Sequence, residues 1–232
     1  MVWGTGEHSV EEFLSLLNWI LKLDERGIAV RLFAGLNNPL KEASEALTIF
    51  RRIYLDEETK RRSTVVLEVC AGRRAPVALL TALFIHQAVG WGLDREPFDD
   101  IAIETAKVLG GRAKLIDGVD VYSRKFEEVM AEARRVADYM IVVAVHSCRT
   151  LPVRIMDVFR SVRGDRLIIV PCCAKPSWAR KVVGVEVHSY WDWVYALWSY
   201  ATKVLGLEAV VTTEKAMLSD ANAVIEVFGE RG

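Results

Sequence analysis

Thr64-Val-Val-Leu-Glu68-Val-Cys70-Ala-Gly72-Arg73-Arg74-Ala75-Pro76-Val-Ala-Leu-Leu-Thr-Ala-Leu-Phe84 is where the architecture of this chain is written. Its first half is an apolar, β-branched run of strand length, and its second half starts on a proline and continues with residues suited to a helix. Between the two, Gly72 permits a tight turn and a close approach of backbone to a ligand. A strand, a glycine turn and a helix in that order open a parallel βαβ unit.

The same alternation continues downstream. Short apolar runs at 89–93, 113–116, 140–145 and 166–170 predict strands, and the stretches 97–109, 124–137 and 152–162 predict helices between them. A helix over 190–205 leads to two last strands, near 209–213 and 223–228, that suit an antiparallel hairpin. The expected fold is therefore α/β: a Rossmann-like, doubly wound, mostly parallel sheet with a terminal antiparallel strand. Upstream, Ser9 with Glu12 makes a capping box before Phe13, Leu16, Leu17, Ile20 and Leu21 at helical spacing. Asn38 and Pro39 start a second helix carrying Leu40, Ala43, Leu47 and Phe50. The expected organisation is an N-terminal helical appendage over 1–62 and an α/β domain over 63–232.

Composition excludes several classes of protein. With 52% hydrophobic and 26% charged residues among 232, and only 15 Gly and 6 Pro, the chain is neither disordered nor collagen-like. The apolar stretch 75–89 is broken by Pro76, His86 and Gln87 and falls short of the ~20 residues a bilayer span needs, so no membrane partner is expected. The first residues carry no basic region followed by an apolar one, and the expected location is the cytoplasm. Net charge is −1, which by itself argues for no polyanionic partner. The distribution is less even. From Arg149 to Lys181 eight basic residues stand against two acidic, net +6; from Val182 onward seven acidic stand against three basic, net −4.

In open sheets of this kind ligands sit beyond the carboxyl ends of the strands, near the reversal of strand order. That rule selects Glu68, Cys70 and Gly72 after the first strand, Asp94 after the second, Asp117 and Asp120 after the third, and His146 and Cys148 after the fourth. An acidic side chain some twenty residues beyond the glycine turn suits both hydroxyls of a ribose. All four cysteines, Cys70, Cys148, Cys172 and Cys173, fall at strand ends, where small polarizable side chains suit a pocket wall. With no Cys-x-x-Cys pair, no metal site is expected.

Glu68-x-Cys70-Ala-Gly72, Asp94, His146-x-Cys148 and Pro171-Cys172-Cys173, in that order after successive strands, resemble the class I S-adenosylmethionine (SAM)-dependent methyltransferases. The resemblance spans roughly residues 63–232 and is nearest to a branch with Cys-Ala-Gly and Pro-Cys-Cys signatures that includes tRNA-modifying members. It implies SAM as cofactor, methyl transfer as activity, and RNA (tRNA or rRNA) as an acceptor class. It further implies that the backbone of Glu68, Cys70 and Gly72 meets the methionine part of SAM and that Asp94 takes the ribose. Asp117 or Asp120 would take the adenine edge, and His146 and Cys148 would flank the methyl group, with His146 the available base. Where that family usually has a second glycine this chain has Arg73-Arg74-Ala75-Pro76, and Arg149 replaces the glycine after His-x-Cys. That departure motivates the alternative reading, a methyltransferase-like fold that binds or scaffolds without catalysis.

Two partner surfaces are expected. The basic 149–181 segment suits RNA phosphates. Tyr190, Trp191, Trp193, Tyr195, Trp198 and Tyr200 crowd one helix and cannot all face one side, so some cover the sheet. The others suit a stacked nucleobase or a homodimer contact along 190–205.

Overall fold

A computed structural model describes residues 9–24, 27–172, 180, 184 and 186–229. Helices α1 (Val10–Leu23), α2 (Ile28–Arg31), α3 (Pro39–Tyr54) and α4 (Glu57–Arg61) come first. Then β1 (Thr64–Val69), α5 (Pro76–Phe84), β2 (Ala88–Leu93), α6 (Asp100–Leu109), β3 (Ala113–Ile116), α7 (Arg124–Val136), β4 (Tyr139–Ser147), α8 (Leu151–Ser161) and β5 (Arg166–Pro171) alternate. Helix α9 (Tyr190–Ser199) precedes β6 (Glu208–Thr213) and β7 (Ala223–Phe228). The helix expected over 190–205 keeps α geometry only to Ser199. It then widens into a π turn in which Leu205 N–H reaches Tyr200 O at 3.0 Å. No described helix is long and apolar enough to cross a membrane.

One sheet of seven strands results, in the order β3-β2-β1-β4-β5-β7-β6. The first five run parallel, and β7 is antiparallel to both β5 and β6, as the expected α/β architecture requires. Every residue of β1 is buried, which is the signature of a parallel strand covered on both faces. On one face α7, α8 and α9 bring Phe126, Met130, Ile155, Phe159 and Trp193 against the odd-numbered residues of β1 and β5. On the other, α5 lies so close to β2 that a Cβ at Gly90 would collide with the Ala78 carbonyl. Glycine is required there by close approach rather than by a turn.

The N-terminal helices complete that second face. Phe13, Leu16 and Ile20 of α1 and Leu47 and Phe50 of α3 share one apolar core with Val66, Ile141 and Ile168 of the sheet. Half of the expected capping box forms: Ser9 Oγ accepts the Glu12 N–H at 3.1 Å, while Ser9 N–H donates to Lys215 O at 2.8 Å. Polar ties add to the apolar contact. Arg74 Nε meets Asp99 Oδ2 at 2.5 Å, and its Nη1 donates to the carbonyls of Leu32 (3.0 Å) and Ala34 (2.7 Å). Arg52 of α3 bonds Glu214 and Glu226, and Arg166 of β5 bonds Glu226 and Asp56. Removing one member of a buried charge pair strands the others, so Arg74→Ala is expected to cost about 3 kcal/mol of unfolding free energy in urea titration. The loss should be accompanied by faster hydrogen exchange in 28–34.

Candidate functional site

Strand order reverses between β1 and β4, and there, beyond the carboxyl ends, lies a cleft of about 550 Å³. Cys70, Asp94, Asp120, Tyr122, Cys148 and Arg149 contribute to its walls, with Leu93, Val119 and Val121 as apolar surface. A larger cavity of about 1090 Å³ opens near Arg62, Arg134, Arg163 and Tyr139. It adjoins the amino ends of β4 and β5, the end of a parallel sheet where cofactors do not settle.

The turn after β1 is shaped by backbone conformation. Cys70 (φ 57°), Gly72 (φ 62°) and Ala75 (φ 43°) are all left-handed, and a Cβ at Gly72 would meet nothing within 4 Å. The turn is uncrowded at Gly72, and its first residue, Cys70, lines the cleft. Arg74 does not enter it, being drawn to Asp99 and the 32–34 carbonyls. Asp94 braces the turn from β2: its Oδ2 accepts the Gly72 N–H at 2.7 Å and its Oδ1 the Glu96 N–H at 2.9 Å. Asp94 also ties the end of β3, since its carbonyl accepts the Val119 N–H at 2.9 Å.

Asp120 lies on the cleft, its Oδ1 accepting the Tyr122 N–H at 2.7 Å in a side-chain turn that leads into α7. Asp117 does not reach the cleft walls. Its carbonyl accepts Lys125 Nζ at 2.7 Å and it borders a shallow cavity beside Phe98 and Leu115. Glu68 turns its side chain to the opposite face of the sheet, where Oε2 accepts the Ala78 N–H at 2.8 Å in the first turn of α5. Burial pushes this carboxyl up to about 8, against the pull of the Ala78 and Val77 amides and with some help from the charge of Asp94. The Cys70 thiol is pushed up to about 12 by burial and by the nearby Asp94 and Asp120, so it stays protonated.

His146 and Cys148 part company. His146 sits at a break in the β4–β5 register, in a left-handed conformation (φ 56°), and its ring turns toward α3. Nε2 lies 2.5 Å from Glu45 Oε2 and 3.0 Å from Lys41 Nζ. Burial disfavours the imidazolium, but hydrogen bonds with Cys172 and Glu45 and the Glu45 charge outweigh it and raise the group to about 9; Lys41 opposes. Cys148 remains on the cleft, its thiol donating to His146 O at 3.2 Å. Cys172 thus stands beside His146 rather than among the cleft residues, and Cys173 lies outside the described residues. Sequence reasoning passed over Tyr122, Thr150 and Glu45. The Asp120-to-Tyr122 turn spacing was a signal for the first; nothing local marks Glu45, whose partner is 101 residues away.

Solved methyltransferases share this fold. The chain is similar to an O-methyltransferase family protein from Burkholderia thailandensis, with 13% identity over 95% of this chain and 71% of that one and a TM-score of 0.52. It has the class I methyltransferase fold. Antibiotic-resistance methyltransferase Kmr aligns at 13% identity over 72% of this chain and 87% of that one (TM-score 0.51). Methanococcus jannaschii fibrillarin, a pre-rRNA processing protein, aligns at 12% over 75% and 70% (TM-score 0.50). No family model and no curated protein matches the sequence.

The basic 149–181 segment is not one surface. Arg149, Arg160 and Arg163 are exposed, but Arg154 bonds Glu127 and Arg166 is held between Asp56 and Glu226. Arg180 pairs with Glu186, and Lys175 and Lys181 lie outside the described residues. On α9, Tyr190 and Trp193 are buried, whereas Trp191 and Tyr195 are exposed at 40% and 59%.

The buried carboxyl of Glu68 has a measurable signature. Its folded-state value lies above its unfolded one, so its contribution is fully present below about 4.5 and is lost as pH rises through about 8. Glu68→Gln keeps an acceptor for the Ala78 amide and cannot ionise. The variant is expected to gain stability over wild type at pH 8.5 and to flatten the decline between pH 5 and 8.5 in urea titrations; parallel wild-type and variant curves would exclude this.

Proposed function

We propose that the protein is a SAM-dependent methyltransferase that modifies RNA and seats its cofactor in the cleft beside Gly72. The observation that carries this reading is the pairing of an open left-handed turn at Gly72 with the Asp94 carboxylate across from it, at the strand ends where this fold places ligands. Asp94 would hold the ribose hydroxyls, and the backbone of Glu68, Cys70 and Gly72 would receive the methionine portion. Of the two aspartates after β3, Asp120 is the one on the cleft, so it would take the adenine edge, with Val119 and Val121 against the ring. Cys148 would flank the methyl group. Bound SAM supplies a methyl group activated by its sulfonium, and the chain contributes alignment, an effect that reaches ~7–11 kcal/mol in favourable cases. His146 is engaged with Glu45, and its place in the reaction is to orient rather than to accept a proton at neutral pH.

RNA as the acceptor is supported by exposed Arg149 on the cleft wall. Trp191 and Tyr195 offer faces on which an unpaired base could stack.

Calorimetry with SAM, S-adenosylhomocysteine and NAD tests the cofactor assignment. Heat with the first two and none with NAD is expected; a folded protein silent to all three would favour the scaffold reading. Asp94→Ala should weaken SAM by ~1–3 kcal/mol through lost charge-assisted hydrogen bonds, and unchanged affinity would contradict the ribose role. Transfer of labelled methyl from SAM to total RNA, lost on Asp94→Ala, is the matching activity readout.

A further inference from the structure

One wall of the cleft is held from outside the α/β unit. The segment Cys148, Arg149, Thr150 and Leu151 lines the cleft, and it hangs from two left-handed non-glycine residues, His146 (φ 56°) and Arg149 (φ 59°). Such conformations persist only where the surroundings enforce them. The enforcing contact is at hand. Glu45 of α3, 2% exposed at its side chain, reaches His146 Nε2 at 2.5 Å, and the His146 carbonyl in turn accepts the Cys148 thiol. The bulge that frees His146 from the β4–β5 ladder is what lets its ring reach α3.

We propose that Glu45 and His146 are positioning residues through which helix α3 sets the 148–151 wall of the cofactor cleft. The proposal rests on the reading of that cleft as a SAM site. It gives the N-terminal helices a function beyond covering the sheet: they decide whether the wall is formed. The pair is an imidazolium facing a carboxylate at neutral pH. The groups facing it are Glu45 and Lys41 from α3, Cys172 from the end of β5, and Tyr190 of α9, which feels the charges of both Cys172 and Glu45. With the imidazolium lifted to about 9, the pair is lost as pH rises through that value, and Lys41, a like charge, lowers the midpoint.

The test uses the full chain and S-adenosylhomocysteine, titrated calorimetrically between pH 7 and 10, with hydrogen exchange of 148–151 measured in the absence of nucleotide. Wild type should bind steadily to about pH 8 and lose about tenfold in affinity on passing pH 9. Glu45→Gln should bind about tenfold more weakly at pH 7.5, lose the alkaline step and exchange faster in 148–151 with α5 and β1 unchanged. Glu45→Asp should restore part of the alkaline step, and Lys41→Met should move it to higher pH. Should Glu45→Gln fail to fold, His146→Gln is read in the same way, because its site is 30% exposed. Wild-type affinity, alkaline step and exchange in the variant would overturn the positioning role and leave the cofactor assignment standing. If wild type binds no nucleotide, that assignment fails, and equal exchange in 148–151 between wild type and variant would overturn the coupling on its own.

Discussion

A carboxyl group inside an apolar sheet is the constraint around which the rest is arranged. Glu68 is buried in β1, where an acidic side chain needs a partner, and it finds one in the free N–H groups that begin α5. That contact fixes where the helix starts relative to the strand. The connecting turn then passes through left-handed positions at Cys70, Gly72 and Ala75, and nothing crowds the Gly72 position. Asp94 closes the arrangement from the neighbouring strand. The cost of burying an acid is met by a helix start, and the byproduct is an uncrowded left-handed turn.

Around this centre the N-terminal helices behave as part of the sheet's covering layer. Helices α1 and α3 share a core with β1, β4 and β5, and charged ties at Arg74 and Arg52 bind them at two further places. Arg74 is informative because its neighbourhood departs from the methyltransferase pattern. The side chain that stands where a glycine-rich turn would continue is carried away from the cleft and used to hold the 28–34 segment. Ala75 meanwhile adopts the left-handed backbone that a glycine would take there. Both residues are accommodated locally, with the Arg74 side chain bonded away from the cleft.

Much of this was legible in local patterns. Strand and helix periods gave the alternation, and the last two strands paired antiparallel as their spacing suggested. Asp94, Asp120 and Cys148 stand at the cleft, with Gly72 bonded to Asp94, because strand ends in a parallel sheet converge on one edge. Glu68 and His146 were legible as unusual residues at strand ends but not in their orientation. Residue 68 faces α5 by the two-residue alternation of β1, and His146 faces α3 because a bulge interrupts β4. The basic segment failed to become one surface for a similar reason: along a helix and a strand its members point in different directions, and Arg166 enters a buried network.

The sequence by itself determined the element order, the sheet class and the edge at which Asp94, Asp120 and Cys148 gather, because these depend on periodicity and on turn residues acting within a few positions. Only the tertiary structure decided that Asp94 grips the Gly72 turn, that Arg74 leaves the cleft free and that Glu45 meets His146. Each of those contacts joins groups more than twenty residues apart, and which of many possible polar partners a side chain takes is set by packing rather than by local pattern.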